Sequence, residues 1–168
     1  MCAGDEENGD MAKVTLICGR LCCGKTTYAK QLCADTGAVL LSVDEVMLAI
    51  FGQNAGERHD EYAAGARKYL LEKSVCIVRL GVDVVLDWGF WTRADRARTR
   101  LFYSERGALC ELYFLDTDAG EWRRRIEKRN RAVHAGEENA YLVDRGLMAK
   151  LEARFEPPSA DETDVIIN

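Results

Sequence analysis

One stretch constrains this chain more than any other. Gly19-Arg-Leu-Cys-Cys-Gly24-Lys25-Thr26-Thr27 places four free positions between a glycine and Gly-Lys-Thr, the P-loop pattern. Ahead of it, Val14-Thr-Leu-Ile-Cys18 is apolar and β-branched and reads as a buried strand. Behind it, Thr27 to Cys33 contains no breaker and reads as helix. A glycine loop between strand and helix lets successive N–H groups turn inward as an anion nest, with the positive end of the helix dipole added. Gly19 and Gly24 supply backbone angles that strain other residues. The chain is therefore expected to bind a nucleoside triphosphate, ATP, along Gly19, Leu21, Cys22, Cys23, Gly24, Lys25, Thr26 and Thr27. Lys25 is expected on the β- and γ-phosphates, and the Thr26 hydroxyl on Mg²⁺.

At 168 residues the chain suits one domain that buries about two thirds of its unfolded surface. A composition of 48% hydrophobic and 30% charged residues is that of a globular protein, and no apolar run is long enough to span a membrane. A net charge of −5 argues against a broad nucleic-acid-binding face. The acidic start lacks the apolar core of a signal peptide, so residues 1–11 are expected to form a disordered tail and 12–168 a single domain. Met11 is a second candidate start. Seven cysteines without a Cys-x-x-Cys pair, alongside two histidines, favour a reducing cytoplasm over a zinc site.

Strand and helix signals alternate to the end. Strands are expected over Ala38–Ser42, Val82–Asp87, Leu109–Leu115 and Asp164–Asn168. Helices are expected from Ser42-Val-Asp-Glu45, a capping-box pattern, toward Phe51, then over Asp60–Leu80, from Thr92 to before Gly107, over Asp118–Asn130, and over Tyr141–Phe155. Gly52–Arg58 and His134–Asn139 read as loops. This alternation implies a mostly parallel sheet covered by helices on both faces, with ligands at the carboxyl ends of the strands. Gly19, Asp44, Asp87 and the loop after Leu115 all fall there.

Several residues then become candidates. Asp87 follows Val84-Val-Leu86, a Walker-B-like pattern suited to Mg²⁺ or an acceptor; Leu112-Tyr-Phe-Leu-Asp116 fits the pattern equally. Asp87 is preferred, because the strand beside the P-loop strand is usually the third in such folds. Trp88, Phe90 and Trp91 either wall an acceptor pocket or pack as core under a loop. Arg93, Arg96 and Arg100 share one helix face, which is either a solvated surface or, through Arg93 or Arg96, a contact to the acceptor. Arg123, Arg124, Arg125, Arg129 and Arg131 form the densest basic cluster, with Arg125 and Arg129 on one face. Cys22 and Cys23 lie where N–H groups and Lys25 lower a thiol's pKa, so they are either redox-sensitive or simply tolerated small residues.

In order and spacing these pieces resemble the small P-loop kinases of the adenylate-kinase-like group, above all the branch with chloramphenicol phosphotransferase, zeta toxins and the kinase half of polynucleotide kinase. The matching segments are Gly19–Thr27, Leu41-Ser-Val-Asp44, Val84–Asp87, Arg93–Arg96, Arg125–Asn130 and Phe155-Glu-Pro-Pro through Asp164-Val-Ile-Ile. The resemblance implies an α/β three-layer sandwich with a parallel sheet of about five strands and a mobile, arginine-bearing lid. It implies that Asp44 is the base for an acceptor hydroxyl, and that Arg125 and Arg129 contact the adenine face and the phosphates. The expected activity is Mg²⁺-dependent transfer from ATP to a hydroxyl of a small molecule. A kinase of nucleosides or nucleic-acid 5′ ends and an ATP-binding regulatory module are the alternatives. Cys22 and Cys23 depart from the small residues usual before Gly-Lys, and the acceptor stays open.

Overall fold

Along a strand, alternate side chains go to opposite faces of the sheet. In the computed structural model, which describes residues 12–137 and 142–168, β1 (Lys13–Gly19) sends Val14, Leu16 and Cys18 into one core and Ile17 into another. β3 (Val84–Asp87) does the same with Val84 and Leu86 against Val85. Burial on both faces explains why each reads as a continuous apolar run. With β2 (Val39–Ser42), β4 (Leu109–Leu115) and β5 (Val165–Ile167) they form one five-stranded sheet, wholly parallel, in the order β2-β3-β1-β4-β5. The P-loop strand is central, and the third strand lies beside it.

The helices are α1 (Lys25–Thr36), α2 (Val43–Phe51), α3 (His59–Val78), α4 (Arg93–Ser104), α5 (Ala119–His134) and α6 (Arg145–Arg154). Met47 of α2, Leu70 and Val75 of α3, and Tyr103 of α4 fill the larger core. Ala29 of α1 enters the smaller one on the other face. Phe51 stacks on Tyr62 at 4.8 Å, tying α2 to α3, and the Ser74 and Tyr103 hydroxyls share a hydrogen bond of 2.6 Å between α3 and α4. Among the described residues, no helix is long and apolar enough to cross a membrane.

α3 ends at Val78, two residues before Leu80, and two other expected helices differ more in their limits. α5 runs four residues past Asn130 to His134, because Arg131-Ala-Val-His contains nothing to stop it. The predicted loop therefore starts after His134, and its end at 138–139 lies outside the described residues, as do Tyr141 and the tail over 1–11. α6 begins only at Arg145. The Asn130 side chain accepts from the Val143 N–H at 2.9 Å and donates to its carbonyl at 2.7 Å, tying the segment before α6 to α5. The register aligns the strand ends: Ser42 beside Asp87, Gly19 beside Leu115, and Leu115 beside Ile167. Residues that follow β1, β2, β3 and β4 are thereby delivered to one edge.

Candidate functional site

That edge carries an open cleft of about 830 Å³, lined by the P-loop, Asp44, Asp87, Trp91 and Arg125 among others. Gly24 precedes α1 at φ 102°, and a Cβ there would stand 3.1 Å from the Arg125 guanidinium. A Cβ on Gly19 would stand 2.6 Å from the Cys23 sulfur and 2.9 Å from the Leu115 carbonyl, so the loop can lie this close to β4 only without a side chain. Lys25 Nζ donates to the carbonyls of Gly19 at 3.0 Å and Arg20 at 2.6 Å, and stands 5.7 Å above the Trp91 ring. Leu21, Cys22, Cys23, Thr26 and Thr27 also line the cleft.

Thr26 and Asp87 meet. The Thr26 hydroxyl donates to the Asp87 carboxylate at 2.8 Å. Asp87 is buried, and burial pushes its carboxyl above the ordinary value; Asp44 and Glu45 push the same way, while the Thr26 hydrogen bond and Lys25 oppose them. A buried carboxylate bonded to a hydroxyl is a hard-oxygen pair of the kind that suits Mg²⁺. Among the described residues, no cluster of three or more Asp, Glu, His or Cys side chains could hold an ion by itself. Asp116, the competing aspartate, is exposed on the cleft wall and has no such partner. Asp44 is exposed in the first turn of α2. The Ser42 hydroxyl caps that turn by accepting from the Glu45 N–H at 3.3 Å, while the Glu45 carboxylate pairs with Lys30 at 2.9 Å.

α5 lies across the P-loop. Asp118 Oδ1 caps it by accepting from the Gly120 and Glu121 N–H groups. Arg125 donates to the Cys23 carbonyl at 2.5 Å and is braced by Glu121 at 2.9 Å. One turn on, Arg129 donates to the Cys22 sulfur at 3.3 Å. Trp122 was not foreseen: its indole N–H donates to the Leu21 carbonyl, and with Ile126 and Val143 it forms a small core against Leu21 and Cys22. Its signal was the spacing of Trp122 and Ile126, one turn apart on an otherwise charged helix.

The cysteines need correction. Burial pushes the Cys22 thiol up, outweighing Arg129 and Lys25, so the expected activation is absent there. Cys23 is a packing residue, 1% exposed beneath Gly19. Trp88 and Phe90 are core, their ring centroids 5.4 Å apart, although Trp88 also reaches the cleft; Trp91 forms its wall.

The α4 arginines need correction too. Neither Arg93 nor Arg96 lines the cleft. Arg93 pairs with Asp161 at 2.7 Å, Arg100 bonds Asp164, and Arg96, 1% exposed, forks onto Glu162 at 3.0 and 3.1 Å. Arg96 also donates to the carbonyls of Phe90 at 3.1 Å and Glu156 at 2.8 Å, so its donors are taken up by the β3–α4 loop and the C-terminal segment. Arg96 is thus neither solvated nor on the cleft, Arg93 stays exposed while pairing outside the cleft, and the shared face clamps the chain ahead of β5.

The AAA_33 family, described as an AAA domain, matches residues 14–158. The chain belongs to this family. Its fold is that of the P-loop kinases, of adenylate-kinase-like type. It is similar to a putative kinase from Chloroflexus aurantiacus (18% identity, 94% of this chain and 87% of that one, TM-score 0.70). It is also similar to a sugar kinase from Janibacter sp. (18%, 93% and 84%, 0.63). A third similar structure is the APS kinase CysC of Mycobacterium tuberculosis with AMPPNP and APS (17%, 94% and 88%, 0.62). Identities this low speak for the fold alone. No curated protein matches the sequence.

Proposed function

We propose that this AAA-family protein is an ATP- and Mg²⁺-dependent phosphotransferase acting on a hydroxyl of a small molecule. The observation that carries the reading is the Thr26–Asp87 pair of 2.8 Å, set in one cleft with Lys25, Asp44 and Arg125. A switch needs the phosphate half of that cleft only. An exposed carboxylate across from the loop serves an acceptor.

The P-loop N–H groups and Lys25 bind the β- and γ-phosphates, Lys25 exchanging its loop carbonyls for phosphate oxygens. Thr26 and Asp87 would hold Mg²⁺, which when bound would supply neutralisation of charge at the transferring group. Asp44 orients the acceptor hydroxyl and takes its proton. The hydroxyl oxygen bonds to the γ-phosphorus as the bond from that phosphorus to the β–γ bridging oxygen breaks, releasing ADP. Arg125 and Arg129, on the helix that covers the loop, stabilise the charge on the equatorial oxygens. The kinase likeness of the similar structures supports the reading, and the net charge of −5 favours a small acceptor over nucleic acid.

The test is ADP release from ATP and Mg²⁺ across sugars, nucleosides, aminoglycoside-like and phenicol-like compounds, and 5′-hydroxyl oligonucleotides. One small compound should stimulate release strongly, and chelation of Mg²⁺ should abolish it. Stimulation by oligonucleotides alone would move the acceptor to nucleic acid. No stimulation across the panel would favour an ATP-binding module.

A further inference from the structure

A second, smaller cavity lies beside the phosphate cleft, at Arg20 and Leu21 of the P-loop. Its volume is about 120 Å³, and it shares Leu21 and Trp91 with the cleft. Lys25, Thr26, Asp44 and Asp87 do not line it, so a molecule there does not touch the reacting atoms. Its aromatic walls are fixed. The Trp91 indole lies so close on Gly89 that a Cβ there would stand 1.6 Å from its Nε1. Phe155 meets Trp91 edge-on with centroids 6.4 Å apart, and the Trp91 carbonyl accepts from the Glu156 N–H at 2.8 Å. Trp122, buried in α5, and Met148 of α6 add to the apolar lining.

Two charged groups stand at this cavity. The Arg20 guanidinium carbon lies 5.8 Å from the Trp122 ring centroid, and Glu152 comes from α6. Among the described residues, neither side chain makes a hydrogen bond or an ion pair, with each other or with anything else. Arg93, Arg96, Arg100 and Arg125, by contrast, each hold a carboxylate. Whole ligand sites run to about 300–1,000 Å³, whereas an apolar cavity of about 150 Å³ takes one benzene ring. The space here suits one six-membered ring and no nucleotide. A sugar would bring more hydroxyls than Arg20 and Glu152 can satisfy, and the rest would lose water against apolar walls. An aromatic ring has no such cost and displaces water that those walls bond poorly. A carboxylate on the ring would engage Arg20, and a hydroxyl or amino group would donate to Glu152.

We propose that this cavity is a second small-molecule site, for a single aromatic ring carrying a carboxylate toward Arg20 and a hydrogen-bond donor toward Glu152, and that its occupant fastens the P-loop to α5 and α6. The inference goes beyond phosphotransfer and does not depend on it. The Trp122 indole already holds the Leu21 carbonyl. A ligand touching Arg20, Leu21, Trp122 and Met148 at once favours the arrangement in which Arg125 and Arg129 of α5 lie on the loop. It should therefore tighten nucleotide binding, and nucleotide should tighten its binding equally.

The test uses the full chain with 4-hydroxybenzoate as the probe, phenol as the ring without a carboxylate, and glucose as the polyhydroxyl ring. The chain has three tryptophans, whose indole N–H signals are assigned with Trp88→Phe, Trp91→Phe and Trp122→Phe. The Trp91 and Trp122 signals should move saturably with 4-hydroxybenzoate at a Kd of about 1 mM or tighter, and stay still with glucose. Arg20→Met should weaken 4-hydroxybenzoate about tenfold and phenol little. Met148→Trp fills the cavity from a position off the cleft. It should abolish binding of both ring compounds while the nucleotide Kd stays within about a factor of two. Saturating 4-hydroxybenzoate should lower the Kd for ATP about fivefold. Indole signals that stay still with both ring compounds overturn the site. Shifts that persist in a folded Met148→Trp chain place the probe elsewhere and overturn it as well. An unchanged 4-hydroxybenzoate Kd in Arg20→Met overturns the carboxylate assignment, and an ATP Kd that does not fall overturns the coupling to the loop.

Discussion

Three side chains divide the chemistry proposed at the cleft. Lys25 is the cation, donating to Gly19 and Arg20 carbonyls that phosphate oxygens would replace. Asp87 is fixed, buried at a strand end and bonded to Thr26. Asp44 is exposed and free to meet an acceptor. Asp44→Asn should lower kcat by about 10²–10⁴-fold, the usual worth of a general base, while the nucleotide Kd stays within a factor of two or so; single-turnover rates and Trp fluorescence titration check both. Thr26→Ala should instead weaken Mg²⁺-nucleotide binding, read as a raised Mg²⁺ requirement. Thr26 and Asp87 were legible as a pair because each ends a local pattern, one in the P-loop and one in an apolar strand. Arg96 was not legible. An arginine on a helix face reads as solvated until a carboxylate 66 residues away, Glu162, is folded onto it.

At the scale of elements, α5 matters most. Its hold on the P-loop comes from Trp122 and Ile126 packing on Leu21 and Cys22, with Arg125 and Arg129 bonded to the same loop. Trp122→Phe should cost about 1 kcal/mol by losing the indole hydrogen bond to the Leu21 carbonyl. Trp122→Ala should cost about 3–5 kcal/mol of local docking. Hydrogen exchange should then quicken in α5, with KM for ATP raised and the sheet amides unaffected; unchanged α5 exchange would contradict the assigned anchor. The helix itself was legible from its basic run and the Asp118 cap. Its extension to His134 and the late start of α6 were not, because the Asn130 bonds to Val143 join residues 13 apart, which no local pattern encodes.

Across the whole molecule, the parallel sheet brings β1, β2, β3 and β4 to one edge, and the C-terminal segment locks that edge from behind. Strand and helix alternation made the sheet legible; the lock depends on tertiary contacts alone. Arg96 holds Glu162 and the Phe90 and Glu156 carbonyls, and the Glu156 N–H donates to the Trp91 carbonyl at 2.8 Å, so the tail also sets the cleft wall. Arg96→Met should cost about 2–3 kcal/mol by stranding the half-buried Glu162 carboxylate, lowering Tm by roughly 5–10 °C. Arg96 holds the Glu162 carboxyl at about 2, below its ordinary value. A depressed carboxylate contributes stability above its unfolded pKa, lost as pH falls through the folded one. Glu162→Gln should therefore flatten the fall in stability between about pH 4.5 and 2, measured by denaturant melts. The central claim, transfer of a phosphoryl group to a small hydroxyl acceptor, is tested most directly by ³¹P NMR of ATP, Mg²⁺ and the stimulating compound. The account predicts a new phosphomonoester resonance growing mole for mole with ADP and absent with Lys25→Met; ADP accompanied only by inorganic phosphate would contradict it.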